Sequence, residues 1–259
     1  MDKITVFFKQ HSAALRYDIL NSTRWYYQCV NPFYRLLRGT ILFVVSSVYR
    51  RDRLTELYYR KQIFQPNSYT NNNRYPELFK IVQNYFINHQ QLLKLCSFGC
   101  STGSEIVSLL EYFPQALIIG VDINQYNLKV CRENIVQSNT NFLHSLSNEW
   151  SKVDKLDAIF CLAVLQHTYN RNPNNAIAKK FTFEKFDKQI CQFDDKLKIG
   201  GLLILDHCDF SFSDTTIYPR YCPLEVERNF LIRQRPLYDK KNHRKDEIFA
   251  GFRVFKKLS

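Results

Sequence analysis

The clearest chemistry in this sequence lies in one glycine turn and one carboxylate. In Leu95-Cys-Ser-Phe-Gly-Cys-Ser-Thr-Gly-Ser-Glu105 an apolar run enters Gly99, and a helix pattern opens just past Gly103. Glycine lets the chain turn sharply and lets a ligand approach the backbone. In a doubly wound sheet such a turn lies at the carboxyl end of the first strand, where ligands bind. Roughly 20 residues further on, Ile118-Ile-Gly-Val-Asp122 ends a second apolar run in a carboxylate, which can accept hydrogen bonds from both hydroxyls of a ribose. Gly99, Gly103 and Asp122 together form an adenosine-site signature. The G-x-G-x-x-G turn of dinucleotide folds is poorly matched, because Ser101 and Ser104 stand where its second and third glycines would be. Gly99-Cys-Ser101-Thr-Gly103 also spells the G-x-S-x-G nucleophile elbow of α/β-hydrolases, with Asp206 and His243 in the right order. That elbow needs several strands and a glycine-rich loop before it, and only Gly39 precedes it here.

Two histidines close later apolar runs, His167 after Leu156–Leu162 and His207 after Leu202–Asp206. Either is a candidate general base, since imidazole titrates near neutral pH. Asp206 is placed to orient His207 or to bind an amine. Tyr218, Arg220 and Tyr221, in the insertion that follows, are candidates for an acceptor pocket. The 8 cysteines include no C-x-x-C pair, so no metal site is expected.

The elements that must position these groups can be read from periodicity. Residues 1–90 read as a mainly helical cap, with Pro32 starting or breaking a helix and Pro76 opening another that runs to His89. Residues 91–259 read as strands at 93–98, 116–121, 141–144, 156–162 and 202–206, alternating with helices at 104–112, 124–138 and 184–197. This alternation predicts an α/β fold with a doubly wound, mostly parallel sheet. Val226–Arg235 and Ile248–Lys257 read as a terminal antiparallel strand pair around a polar loop at 237–246.

At this point the resemblance to class I, Rossmann-like S-adenosylmethionine-dependent methyltransferases is plain. Phe98-Gly-Cys-Ser-Thr-Gly103 resembles their first motif, especially the version in chemotaxis-receptor methyltransferases, and Gly120-Val-Asp122 resembles their second. Leu156-Asp-Ala-Ile-Phe-Cys-Leu-Ala-Val-Leu-Gln-His167 is similar to their fourth-strand motif, and Leu197-Lys-Ile-Gly-Gly-Leu-Leu-Ile-Leu205 to the loop and strand that follow. The match spans roughly residues 92–207 and takes in Gly99, Gly103, Gly120, Gly200 and Gly201 of the 7 glycines. The resemblance implies S-adenosylmethionine as cofactor. It sets Gly99, Cys100, Ser101 and Gly103 beside the methionine portion and Asp122 on the ribose. Ile123, Leu146 and Ser147 would lie near the adenine, with Cys161 and Leu162 beneath the cofactor and Arg74 and Tyr75 as a lid. Leu146 departs from the acidic residue many relatives carry. The amino-terminal domain of the chemotaxis enzymes is not recognisable, so their substrate does not carry over.

The resemblance also narrows the acceptor. After the fourth strand the chain has Cys161-Leu-Ala-Val, not the acidic or Asn residue with Pro-Pro-aromatic of base-amine methyltransferases. Cys161 also lacks the preceding proline of cytosine C5 enzymes. A small molecule or peptide, methylated on oxygen or nitrogen, is therefore favoured over nucleic acid. RNA methylation or simple RNA binding stays open because the net charge is +12. The apolar stretch Thr40–Val48 is shorter than the about 20 residues of a membrane span and reads as a buried helix. With no secretory leader evident and scattered thiols, a cytoplasmic setting is expected.

Overall fold

A computed structural model describes residues 25–65, 70–172, 174–224, 236–248 and 251–259. The chain divides into two compact units at Leu54/Thr55, rather than at residue 90. In the first unit, helix α1 (Trp25–Val45) carries Pro32 in its interior, so this proline does not break it. Helix α2 (Ser47–Tyr58) follows and crosses the division. Ile41, Phe43, Val44, Val45 and Val48 are exposed, which corrects the expectation of a buried segment there. Among the described residues no helix is long and apolar enough to cross a membrane.

The second unit is built on a seven-stranded sheet. Helix α3 (Pro76–Tyr85) precedes strand β1 (Lys94–Phe98), followed by α4 (Ser104–Tyr112), β2 (Leu117–Asp122), α5 (Gln125–Asn134) and β3 (Thr140–His144). The one-turn α6 (Asn148–Ser151), β4 (Leu156–Leu162), α7 (Phe183–Lys196) and β5 (Leu197–Asp206) come next. β6 (Tyr221–Pro223), β7 (Pro236–Tyr238), β8 (Arg244–Ile248) and β9 (Val254–Lys257) complete it. The order across the sheet is β3-β2-β1-β4-β5-β9-β6. β1 to β5 run parallel, and β9 lies antiparallel between β5 and β6. The order reverses between β1 and β4, so their carboxyl ends open the crevice where ligands bind in such sheets.

Both faces are covered, as the near-continuous apolar strands require. On one face Leu78, Phe79 and Val82 of α3 pack with Ile106, Leu109, Leu128 and Cys131 of α4 and α5. This packing joins α3 to the sheet unit. On the other face Trp150 of α6 and Phe186, Ile190 and Phe193 of α7 cover Cys96, Ile159, Cys161 and Leu203. α6 is closed by Lys196, whose Nζ donates to the Trp150, Ser151 and Val153 carbonyls and lies 4.7 Å from the Trp150 ring centroid.

The antiparallel edge differs in detail from the expectation. The partner of β9 is β6, while Val226–Arg235 lies outside the described residues. Residues read as a polar loop instead supply β7 and β8, a separate two-stranded sheet. A buried charge cluster fixes the β6–β9 edge. Asp194, in the last turn of α7 and 2% exposed, accepts from the Tyr221 hydroxyl at 2.8 Å and pairs with Lys257 Nζ at 3.1 Å and with Arg220.

Candidate active site at the carboxyl edge of the sheet

The edge that receives β1, β2, β4 and β5 gathers most of the candidate residues. Gly99 leaves β1 with φ +78°, Ser101 has φ +51°, and Gly103 begins α4 with φ +94°. A Cβ on Gly99 would lie 2.3 Å from a Val164 methyl, and one on Gly103 would lie 2.5 Å from Ile135. Both positions therefore need glycine for backbone conformation and for space.

Asp122 ends β2 and is buried. Its Oδ2 accepts from the Ser101 N–H at 2.8 Å and its Oδ1 from the Asn124 N–H at 2.7 Å. Burial pushes this carboxyl up, and the two backbone N–H groups pull it back toward the ionised form. A carboxylate offers about four acceptor directions. The two backbone N–H groups use two and the Asn127 amide, at 3.5 Å from Oδ1, uses a third, which leaves one direction for a ribose hydroxyl.

Beside the turn lies a small hollow lined by Arg74, Tyr75, Gly99, Ser101, Glu105 and Leu162. The sequence motifs do not single out Glu105; its one local signal is an acidic residue in the first turn of the helix beyond Gly103. Ser97 donates to it at 2.7 Å. Burial pushes the Glu105 carboxyl up to about 7, against the opposing pull of Ser97 and the Arg74 charge. A cation and an acid facing one glycine turn suit the carboxylate and ammonium of an amino-acid head group. The hollow measures about 30 Å3, room for little more than water. A methionine chain therefore needs lining side chains such as Tyr75 to give way.

The Glu105 environment sets a pH dependence. Its folded pKa lies above the ordinary 4.5, so the folded state holds this proton more tightly. The resulting stabilisation is full below about pH 4.5 and lost as pH rises through about 7. Glu105→Gln should exceed the wild type in stability by about 3 kcal/mol at pH 8 and match it near pH 4. Urea unfolding at the two pH values checks this; equal differences at both would contradict it.

The two histidines separate. His167 is half-buried, and its Nδ1 accepts the Tyr169 N–H at 3.0 Å, so in the neutral ring the proton sits on Nε2 and the basic lone pair is already engaged. Burial holds its pKa below the ordinary value. His207 is buried with φ +59°. Its Nδ1 lies 3.3 Å from Asp206 Oδ1, and its ring meets Tyr75 edge-on at 6.1 Å between centroids. The same Asp206 oxygen accepts the His207 backbone N–H at 2.8 Å, so it fixes the backbone of this turn as well as facing the ring, and Asp206 Oδ2 pairs with Arg253 at 3.3 Å.

Other expected site residues fall as follows. Leu162 lines the hollow, but Cys161 points to the opposite face, packed in the core under α7. This corrects its placing beneath a cofactor. Cys100 is buried as a whole residue under the turn, its side chain near Gly120. Leu146 and Ser147 line an open groove between α6 and α7, where the Ser147 hydroxyl accepts from the Trp150 N–H. The Ile123 carbonyl is bonded to His144 Nε2 at 2.9 Å. Tyr221 and Tyr218 are corrected as pocket residues. Tyr221 is buried on Asp194 at the opposite end of β5, about 15 Å along the sheet from Asp206. Tyr218 packs on Phe212 and Phe255. The hydrolase triad does not assemble: Ser101 lies on Asp122, while His243 is exposed and sits 4.0 Å from Asp239. Among the described residues no cluster suits a metal ion.

Residues 96–183 match a family described as a methyltransferase domain. Over 73 residues the chain is 33% identical to trans-aconitate 2-methyltransferase of Rhodopseudomonas palustris, a stretch covering 28% of each protein. Among solved structures, it is similar to the plantazolicin methyltransferase BpumL in complex with SAH, at TM-score 0.39 and 11% identity over 65% of this chain and 56% of that one. It is also similar to precorrin-6y C5,15-methyltransferase from Geobacter metallireducens, at TM-score 0.36 and 14% identity over 53% and 66%. The chain thus spans about a quarter of the curated relative and about half of the first of these structures. Residues 96–183, the span that matches this methyltransferase-domain family, take in the glycine turn, Asp122 and strands β2 to β4 already described.

Proposed function

We propose that this protein transfers a methyl group from S-adenosylmethionine to an oxygen or nitrogen of a small molecule or peptide. The observation that carries this reading is the Asp122 carboxylate, fixed by two backbone N–H groups at the foot of a left-handed glycine turn. When bound, the cofactor supplies an activated methyl on a sulfonium, so the protein's main task is alignment, worth up to roughly 7–11 kcal/mol in favourable cases. Asp122 holds the ribose. Arg74 and Glu105 hold the carboxylate and ammonium of the methionine portion. Ile123, Leu146 and Ser147 border the adenine.

Where the acceptor must lose a proton, His207 takes it, with Asp206 beside its ring stabilising the imidazolium that forms. His167 supports its own loop instead. The acceptor that names trans-aconitate 2-methyltransferase, a small acid, fits this reading as a first candidate.

Calorimetry with S-adenosylhomocysteine tests the cofactor, and transfer of labelled methyl to candidate acids and peptides tests the reaction. Binding with a dissociation constant in the micromolar range is expected; a wild-type protein that binds none would overturn the reading. Once an acceptor is found, His207→Gln should slow transfer about tenfold or more, and His167→Gln should leave it within about twofold. The reverse ranking would move the base to His167.

A further inference from the structure

A chain of charge runs behind His207. Arg253 comes just before β9, which places it beside the end of antiparallel β5. Its Nη1 lies 3.3 Å from Asp206 Oδ2 and 3.2 Å from Glu77 Oε1. Its side chain is only 8% exposed, against 5% for Asp206 and 23% for Glu77. Glu77 lies in the first turn of α3, the helix whose amino end presents Tyr75 to the hollow and to the His207 ring. One guanidinium nitrogen thus joins the helix beside the glycine turn to the carboxylate that faces the histidine.

We propose that Arg253 is a positioning residue that holds Asp206 in register with His207 and ties that pair to the start of α3 through Glu77. This rests on the methyltransferase reading for its purpose, but the physical coupling does not depend on it. The groups facing the imidazole are Asp206 from β5, Tyr75 from the start of α3, Arg253 behind Asp206, and the adjoining Cys208. Of these, Arg253 is the cation, and it offsets the pull of Asp206 on an imidazolium. Its loss leaves Asp206 as the dominant charge at the ring. A guanidinium with two carboxylates in a site this dry acts over several ångströms with little screening.

The test follows the His207 imidazole by NMR titration in the full chain, with S-adenosylhomocysteine binding measured by calorimetry on the same samples. Arg253→Met should raise the His207 pKa by about one unit, a tenfold gain in proton affinity. Arg253→Lys, which keeps the charge, should give less than half that shift. A purely structural arginine would lower the melting temperature of both variants and leave the titration in place, and that result overturns the proposal. If Arg253→Met fails to fold, the Glu77→Gln variant serves. Losing that carboxylate should lower the His207 pKa and weaken S-adenosylhomocysteine binding about threefold, whereas no change in either overturns the tie to α3. Wild-type protein that binds no S-adenosylhomocysteine, with the titration coupling intact, defeats the methyltransferase reading and not the relay.

Discussion

Asp122→Ala is expected to weaken S-adenosylhomocysteine binding by at least about 100-fold. The replacement removes charge-assisted hydrogen bonding to a ribose, worth about 1.5–3 kcal/mol per bond, and every 1.4 kcal/mol is about tenfold in affinity. It also releases the Ser101 and Asn124 N–H groups, so the glycine turn loses its anchor at the same time. Asp122→Asn separates these effects. The amide keeps one acceptor for the backbone but turns a donor toward the other N–H, so binding should fall while the fold persists by circular dichroism. A dissociation constant within about threefold of wild type in Asp122→Ala would remove Asp122 from the cofactor site.

The largest loss of stability should come from Asp194→Ala, at the other end of the molecule. Asp194 is buried with the Tyr221 hydroxyl, Lys257 and Arg220 around it. Removing one partner of a buried pair leaves an uncompensated charge, which typically costs about 3–5 kcal/mol. Here the stranded charge is Lys257, 8% exposed, which keeps hydrogen bonds to the Asp194 and Leu197 carbonyls. A drop of roughly 10 °C in melting temperature is expected for a chain of this size. A drop under about 2 °C would show that water reaches this cluster. Burial and the Asp194 bond also hold the Tyr221 phenol above the ordinary value, in keeping with a structural hydroxyl.

What could be read from the residues alone was the local part of the site. The Gly99–Gly103 turn, Asp122 and the strands that feed them are encoded within short stretches, by glycine placement and apolar runs, and they occur close to where periodicity sets them. Errors arose where a face or a direction had to be chosen. β4 is buried on both sides along its whole length, so no alternation marks which face Cys161 takes. Tyr221 was misplaced because its strand runs parallel to β5, which sends its first residue to the far edge. Arg253 and Glu77 are 176 residues apart, and their meeting at Asp206 depends on an antiparallel return that no local pattern announces. The groups hidden from local reading are those that tie distant segments together.

Left-handed backbone is concentrated on one rim. Gly99, Ser101 and Gly103 follow β1, Ala163 follows β4, and His207 follows β5, all with positive φ. Three of these are not glycine, and each such residue carries a steric cost of about 1–2 kcal/mol. The rim cannot hold that shape alone; it is held by anchors on the strands beneath it, Asp122 on the Ser101 N–H, Asp206 Oδ1 on the His207 N–H and the Asp206 carbonyl on the Ala163 N–H. Damage to those anchors would therefore register first as a relaxed rim, with activity failing at temperatures where the body of the sheet still stands.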